Sequence, residues 1–374
     1  MSVLAPSQAI VDLGAYRANL AWIRSQTPQG VRLCPVVKAD AYGHGAPAIA
    51  KCAADAGADM LAVAAVEEAV ALRTADVRRP LLVLVQPFGD ALPEAAAMGL
   101  DVMVTDPAVA KELAAHALRL HMRARVHLKI DTGMGRQGVK VADAADTAAE
   151  LASTPGVHLR GVATHFAVAD DPDDPFTREQ IRRFHDALAA IRQAGVAIDI
   201  VHAANSAAIL AFPETAFDMV RPGLVSYGVW PLPTPPGPGV TLRPVLRWET
   251  RLTVVKTIAR GESVGYNRAY IAPGPRRVAL APVGYADGYR VALSNRAHVL
   301  VAGRRCPVLG RVSMDQISVD ITDLPEAGAG ARVTLIGADG SETITVADMA
   351  AWADTMPYEI LTGIGPRVAR IYQD

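Results

Sequence analysis

VRLCPVVK (31–38), MLAVAA (60–65), LLVLVQ (81–86), LDVMVT (100–105), RVHLKID (125–131), HLRGVATH (158–165), IDIVHA (198–203) and FDMVRPG (217–223) are short apolar runs rich in β-branched residues. Between them lie Ala-rich segments of helical period, such as GAPAIAKCAADAGA (45–58) and TREQIRRFHDALAAIRQAG (177–195). Strand and helix in strict alternation force a parallel sheet covered by helices. Eight such units predict a closed (β/α)8 TIM barrel over residues 1–230. An open doubly wound sheet is the competing α/β fold, but it carries a Gly-rich fingerprint after its first strand, and none follows VRLCPVVK.

Working outward, PLPTPPGPG (231–239) holds five prolines and can continue neither helix nor strand, which places a linker at 231–240. Beyond it, RWETRLTVVKTIA, RRVALAPVGYA, AHVLVAG, DQISVDI and ARVTLIG read as strands punctuated by Gly and Pro. Residues 241–374 are therefore expected to form a mostly β domain, with one short helix near ADMAAWAD (347–354). The early run QAIVDLG (8–14) is spare and fits either domain.

Composition excludes several classes of function. Lys plus Arg number 37 against 38 for Asp plus Glu, so no basic excess exists to hold nucleic acid or an anionic membrane by counterion release. Small-molecule chemistry is expected. Cys34, Cys52 and Cys306 are an odd number at wide spacings, fitting neither a disulfide framework nor a zinc site, so no metal and a cytoplasmic location are expected. No secretory leader pattern opens the chain, and no stretch reaches the apolar length of a membrane span.

A barrel of this type does its chemistry at the C-terminal ends of its strands. Those ends are polar: Lys38, Lys129 with Asp131, His165, His202 and Arg221 close five of the eight runs. A lysine desolvated at an apolar barrel mouth, near other cations, has a lowered pKa and a nucleophilic amine. Asn205 and Ser206 open the helix after the seventh strand, and Gly223 follows the eighth, a plausible phosphate seat; Asn205 reads equally as a plain helix cap. Arg221, beside that seat, would donate a hydrogen bond to a pyridine nitrogen without protonating it, which keeps the ring a weaker electron sink.

VVKADAYGHG (36–45), HLKIDTGMGRQG (127–138), THFAVAD (164–170), ANSAA (204–208), FDMVRPGLVSYG (217–228), SVGYNRAY (263–270), PVGYADGY (282–289), GRVSMDQISVD (310–320) and MPYEILT (356–362) resemble, in order, the motifs of alanine racemases of the pyridoxal phosphate barrel class. The resemblance spans nearly the whole chain. It implies pyridoxal 5'-phosphate held as a Schiff base on Lys38, with Lys38 and Tyr266 as the two acid–base groups on opposite faces of the substrate. Two bases suffice, because racemisation removes a proton from one face of Cα and returns one to the other.

The resemblance also implies roles for other positions. Tyr42, Ser206, Gly223, Leu224 and Tyr358 would contact the phosphate, Asn205 lying beside them; Arg221 would face the pyridine nitrogen with His165 against it. Arg136 and Met314 would meet the substrate carboxylate, Tyr285 and Asp315 would lie at the entrance and pocket edge, and Lys129 would be carbamylated to orient Arg136. Tyr266 and Met314 would come from a second subunit, which makes an obligate homodimer with shared active sites, and D-alanine would feed cell-wall peptidoglycan. Ser313 stands where many relatives have Cys, and LTGIGPRVAR (361–370) departs from the usual ending; both bear on substrate preference more than on reaction type. Racemases for serine, lysine or a broad range of amino acids, a decarboxylase of the same architecture, and a pyridoxal phosphate carrier are the alternatives. The decarboxylase would want a glutamate at the pyridine nitrogen, and the carrier lacks a second domain.

Overall fold

The computed structural model describes residues 6–234, 237–240 and 242–374; Pro235, Pro236 and Thr241 of the expected linker lie outside them. The chain divides into two compact units, one of residues 16–41 and 46–242, the other of residues 1–15, 42–45 and 243–374. A first strand, β1 (Ser7–Asp12), precedes the barrel strands β2 (Arg32–Leu33), β3 (Leu61–Val63), β4 (Leu81–Val83), β5 (Asp101–Val104), β6 (Ala124–Asp131), β7 (Val157–Ala163), β8 (Ile200–His202) and β9 (Met219–Val220).

The first unit is the (β/α)8 barrel. Strands β3 to β8 pair in parallel, each with the next, and β2 pairs in parallel with β9. Closure on either side of the β2–β9 pair runs through scattered backbone bonds, among them Val37 N–H to Ala62 O at 2.8 Å and Ala62 N–H to Pro35 O at 3.0 Å on one side, and Asp218 N–H to Val201 O and Arg221 N–H to Ala204 O, each at 3.0 Å, on the other. Pro35 and Pro222 supply no N–H there, which is why the ladders of β2 and β9 are so short. The covering helices keep the expected stripe. In the helix Phe176–Gln193, for example, Ile181, Phe184, Leu188 and Ile191 face inward.

The second unit is built on one mixed sheet. Leu246–Arg251, Arg332–Asp339, His298–Val301, Arg304–Leu309, Ile317–Asp320, Arg276–Ala281 and Val254–Ile258 follow one another across it, all antiparallel. The spare run settles here, since β1 pairs antiparallel with Leu246–Arg251 and parallel with Ala369–Gln373. Trp248, fully buried, donates its indole N–H to Ser7 Oγ at 2.7 Å and so ties β1 to the sheet core. β1 and Tyr42–Gly45 group with the C-terminal segment. A second helix, Pro357–Gly363, accompanies the expected one at Val346–Trp352. Among the described residues no helix is long and apolar enough to cross a membrane, no cluster of His, Cys, Asp and Glu could hold a metal, and all three cysteines are buried and outside any disulfide.

Candidate active site

Lys38 ends the first barrel segment and starts a turn of unusual hand. Ala39, Asp40, Ala41 and Tyr42 have φ of 51, 52, 53 and 54°, and Gly43 follows at 78°, so the helical turn Lys38–Gly43 is left-handed. For four residues with a Cβ this conformation costs roughly 1–2 kcal/mol each, so contacts from the folded chain must hold it. Glu68 supplies one such contact, its carboxylate accepting the Ala39 N–H at 2.7 Å and the Ala64 N–H at 2.6 Å. Asp40 accepts the Ala46 N–H at 2.7 Å. In the other unit, Arg370 Nε donates to Gly43 O at 3.0 Å, and a Cβ on Gly43 would lie 2.2 Å from Leu361 O.

The barrel unit gathers three basic side chains, Lys129, Arg136 and Arg221, around Lys38. Burial lowers the Lys38 amine below its ordinary 10.5; Arg136 and Arg221 add to the effect, and Glu68 opposes it. Lys129 is buried in β6 and lies well below 10.5, through burial first and then Arg221, Arg136 and Lys38, with Asp131 opposing. Arg136 sits on the loop after β6. Asp131 organises that loop, accepting the N–H groups of Gly133 at 2.9 Å and Gly135 at 3.0 Å. Burial opposes the charge on Asp131, yet the N–H groups of Gly133, Gly135, Met134 and Arg136 hold it below the usual carboxylate range. A polar end to the fifth run therefore resolves into one buried amine and one loop-holding carboxylate.

Arg221, 4 % exposed, is fixed on two sides. Its Nη2 donates to Thr164 O at 2.9 Å and Ala203 O at 3.0 Å, and its Nη1 donates to His202 Nδ1 at 2.7 Å. His165 Nδ1 lies 3.5 Å from Nη2; burial, and then Lys129, Arg221, Arg136 and Lys38, keep that imidazole neutral. Burial brings Arg221 itself down to about 10, with Cys34 opposing, so it remains a cation at neutral pH.

Asn205 caps the helix Ser206–Ala211, its Oδ1 accepting the Ala208 N–H at 2.9 Å. Ser206 Oγ reaches across to the segment after β9, accepting the N–H of Gly223 at 2.9 Å and of Val225 at 3.3 Å. With both lone pairs engaged, its own hydroxyl hydrogen is what Ser206 has to offer an anion. Leu224 is buried and opens the turn Leu224–Tyr227.

The remaining predicted residues lie in the other unit. The Tyr42 and Tyr358 rings pack with centroids 5.8 Å apart, and burial, with Tyr358 beside it, raises the Tyr42 phenol. Tyr285 N–H donates to Ser313 O and Ala286 N–H to Met314 O, each at 3.0 Å, which joins two of the matched loops. That approach requires Gly284, where a Cβ would lie 2.3 Å from the carbonyls of Ser313 and Met314. Arg367 pairs with Asp315 at 2.8 Å and Asp287 at 3.2 Å. Tyr266 stands in the turn between Ser263–Val264 and Tyr270–Ile271, and Gly265 before it leaves room for the Arg311 backbone. Tyr266, Met314, Tyr285 and Tyr358 are 69, 51, 44 and 41 % exposed in the single chain.

A cluster of this kind, a desolvated lysine among arginines on a barrel with a separate β unit, invites comparison with known proteins. Two family models match, described as the N-terminal and C-terminal domains of alanine racemase, over residues 11–231 and 245–372. The chain belongs to the alanine racemase family. An alanine racemase of Symbiobacterium thermophilum is 45% identical, with 98% of this chain and 97% of that protein aligned, and one of Desulfovibrio desulfuricans is 41% identical, with 98% of each covered. Among solved structures, the alanine racemase of D-cycloserine-producing Streptomyces lavendulae superposes with a TM-score of 0.93 at 38% identity, covering 100% of this chain and 98% of that one. The family is one of pyridoxal 5'-phosphate-dependent isomerases, and the serine, lysine and broad-range alternatives are not favoured by these relatives.

Sequence reading missed Glu68, which resembled an ordinary acidic residue in a helix first turn. It missed His127 and Asp101 as well: Asp101 looked like a solvated strand start, and His127 was one polar letter in an alternating run.

Proposed function

We propose that the protein interconverts L-alanine and D-alanine with pyridoxal 5'-phosphate bound covalently through the Lys38 amine. The observation that carries this reading is the grouping of half-buried Lys38 with buried Lys129 and Arg221 and with Arg136 on the loop after β6; burial first, and then Arg136 and Arg221, lower the Lys38 pKa. Such a donor set fits the cofactor: an amine of lowered pKa for its aldehyde, a cation for a substrate carboxylate, and a fixed guanidinium for its ring nitrogen. When bound, the cofactor supplies a conjugated ring that stabilises negative charge at the substrate Cα. Lys38 Nζ holds or returns a proton on one face of Cα, and the Tyr266 phenol of a second copy does so on the other. Arg221 donates a hydrogen bond to the ring nitrogen and keeps its own proton, which restricts the chemistry to proton removal and return.

Ser206, Gly223, Leu224, Tyr42 and Tyr358 are proposed phosphate contacts, with Asn205 holding the helix that carries Ser206. His165 steadies Arg221. Arg136 and Met314 of the second copy receive the substrate carboxylate, and Tyr285 and Asp315 border the entrance. An unprotonated Lys129 amine adds to carbon dioxide, forming an N–C bond and releasing a proton; the resulting carboxylate then pairs with Arg136. The exposed side chains of Tyr266, Met314 and Tyr285 support an obligate homodimer in which they are covered. The matched family supports a cytoplasmic enzyme making D-alanine for peptidoglycan.

Borohydride reduction of the cofactor-loaded protein, followed by peptide mapping, is expected to place the adduct on Lys38. The Tyr266→Phe variant is expected to keep the cofactor absorbance and lose racemisation. An adduct on another lysine, or near-normal turnover by Tyr266→Phe, would overturn the assignment.

A further inference from the structure

We infer that His202, His127 and Asp101 form a one-way hydrogen-bonded column through the barrel interior that fixes the Arg221 guanidinium, making all three positioning residues for the racemase reaction. The inference rests on the proposed place of Arg221 at the cofactor ring nitrogen.

The column climbs from one end of the barrel to the other. Asp101 opens β5, fully buried, with Oδ1 accepting from Arg160 Nη1 at 2.6 Å and Oδ2 lying 3.3 Å from Arg125 Nε. His127 Nε2 lies 3.1 Å from Asp101 Oδ1, His127 Nδ1 lies 2.9 Å from His202 Nε2, and His202 Nδ1 meets Arg221 Nη1 at 2.7 Å. Both imidazoles have no exposed surface.

One arrangement of hydrogens satisfies every link. Arg221 can only donate, so His202 Nδ1 is bare and the His202 hydrogen sits on Nε2. That hydrogen requires a bare His127 Nδ1, which places the His127 hydrogen on Nε2, pointing at Asp101. Reversing His202 would set donor against donor at Arg221, and reversing His127 alone would do so at His202. Both rings are therefore neutral, and burial favours the same state by lowering their pKa values. For His127 the Asp101 carboxylate opposes that effect while Arg160 and Arg221 reinforce it; for His202, Arg221 reinforces it. Asp101 stays ionised: burial disfavours its charge, but the bond from His127 and the charges of Arg125 and Arg160 outweigh it.

The barrel backbone is shaped to admit this column. A Cβ on Gly161 would lie 2.2 Å from His127 Nδ1, so the imidazole occupies the volume a side chain would take, although φ at Gly161 is not in the left-handed region. The β6–β7 register shifts between Val126 and His127, at the same level. Arg221 has five N–H donors. Thr164 O, Ala203 O and His202 Nδ1 take three of them, and the rest are left for what lies outside the column.

The test begins with ¹⁵N-histidine NMR of the cofactor-loaded wild type. Both His127 and His202 are expected to show a hydrogen on Nε2 and a bare Nδ1, unchanged between about pH 6 and 9. A hydrogen on either Nδ1, or a titrating ring, overturns the column. Kinetics then address positioning. His127→Leu and Gly161→Ala are expected to lower kcat about 10-fold or more, with KM for alanine within about 3-fold, and to alter the pH profile of kcat. His127→Asn, which keeps an acceptor for His202, is expected to recover part of that loss. If Arg221→Lys lowers kcat while His127→Leu and Gly161→Ala retain wild-type kcat and pH profile, the column fails and the reading of Arg221 stands. Wild-type kcat and cofactor spectrum in Arg221→Lys would instead sink the reading of Arg221, and this inference with it.

Discussion

Lys129 is the residue whose burial works most directly against its chemistry. Its native pKa is depressed, so between that value and 10.5 the unfolded chain binds more protons than the native one. Stability therefore rises with pH through that window, and the penalty is fully present below the native pKa. In protein depleted of carbon dioxide, Lys129→Met should be more stable than wild type near neutrality, with the gap closing as the pH approaches 10.5. Denaturant midpoints across pH measure this; a gap that stays constant would show that Lys129 is not held uncharged. At this scale Lys38, Arg221, His165 and His202 were legible, because strand ends of a barrel are privileged positions. Asp131 was only half legible, since its carboxylate serves the loop of Gly133 and Gly135. Glu68, His127 and Asp101 could not be found from one sequence: each acts through a partner 26 or more residues away.

Among the elements, the left-handed turn Lys38–Gly43 inverts the usual substitution rules. Glycine in place of alanine weakens a right-handed helix, but at exposed Ala39, with φ of 51°, Ala39→Gly should leave stability unchanged or raise it by up to about 1 kcal/mol. Gly43→Ala should lose at least about 2 kcal/mol, because φ is 78° and the new Cβ would meet Leu361 O. Thermal unfolding of the two variants separates them by sign; a loss of stability in Ala39→Gly would count against the handedness. Nothing in KADAYGHG announces this conformation, since Ala39 and Ala41 favour the opposite hand and only Gly43 and Gly45 hint at a break. The eight barrel strands were legible from their spacing, although Pro35 and Pro222 shorten β2 and β9 to two residues each. The helix Pro357–Gly363 had a signal that went unused, Pro357 at its first position.

For the whole molecule, alternation and the proline-rich break at 231–239 conveyed two units, but not that β1 completes the sheet of the second. A strand whose partners, such as Thr250 for Ser7 and Ala369 for Gln8, lie hundreds of residues away leaves no local mark of the pairing. If Tyr266 serves the neighbouring subunit, mixing inactive Lys38→Ala with inactive Tyr266→Phe and allowing subunits to exchange should restore about a quarter of wild-type activity, since half the dimers would carry one intact site. No recovery, with exchange confirmed by mass, would place both groups in one chain. The turn after Lys38 has a further consequence. Wound against the preference of its own residues, it is strongly disfavoured in a nascent chain, where Lys38 is an ordinary hydrated lysine, almost all of it ammonium. Burial lowers the pKa of that amine only once the surrounding protein has closed on it, so its nucleophilicity is a property of the finished fold.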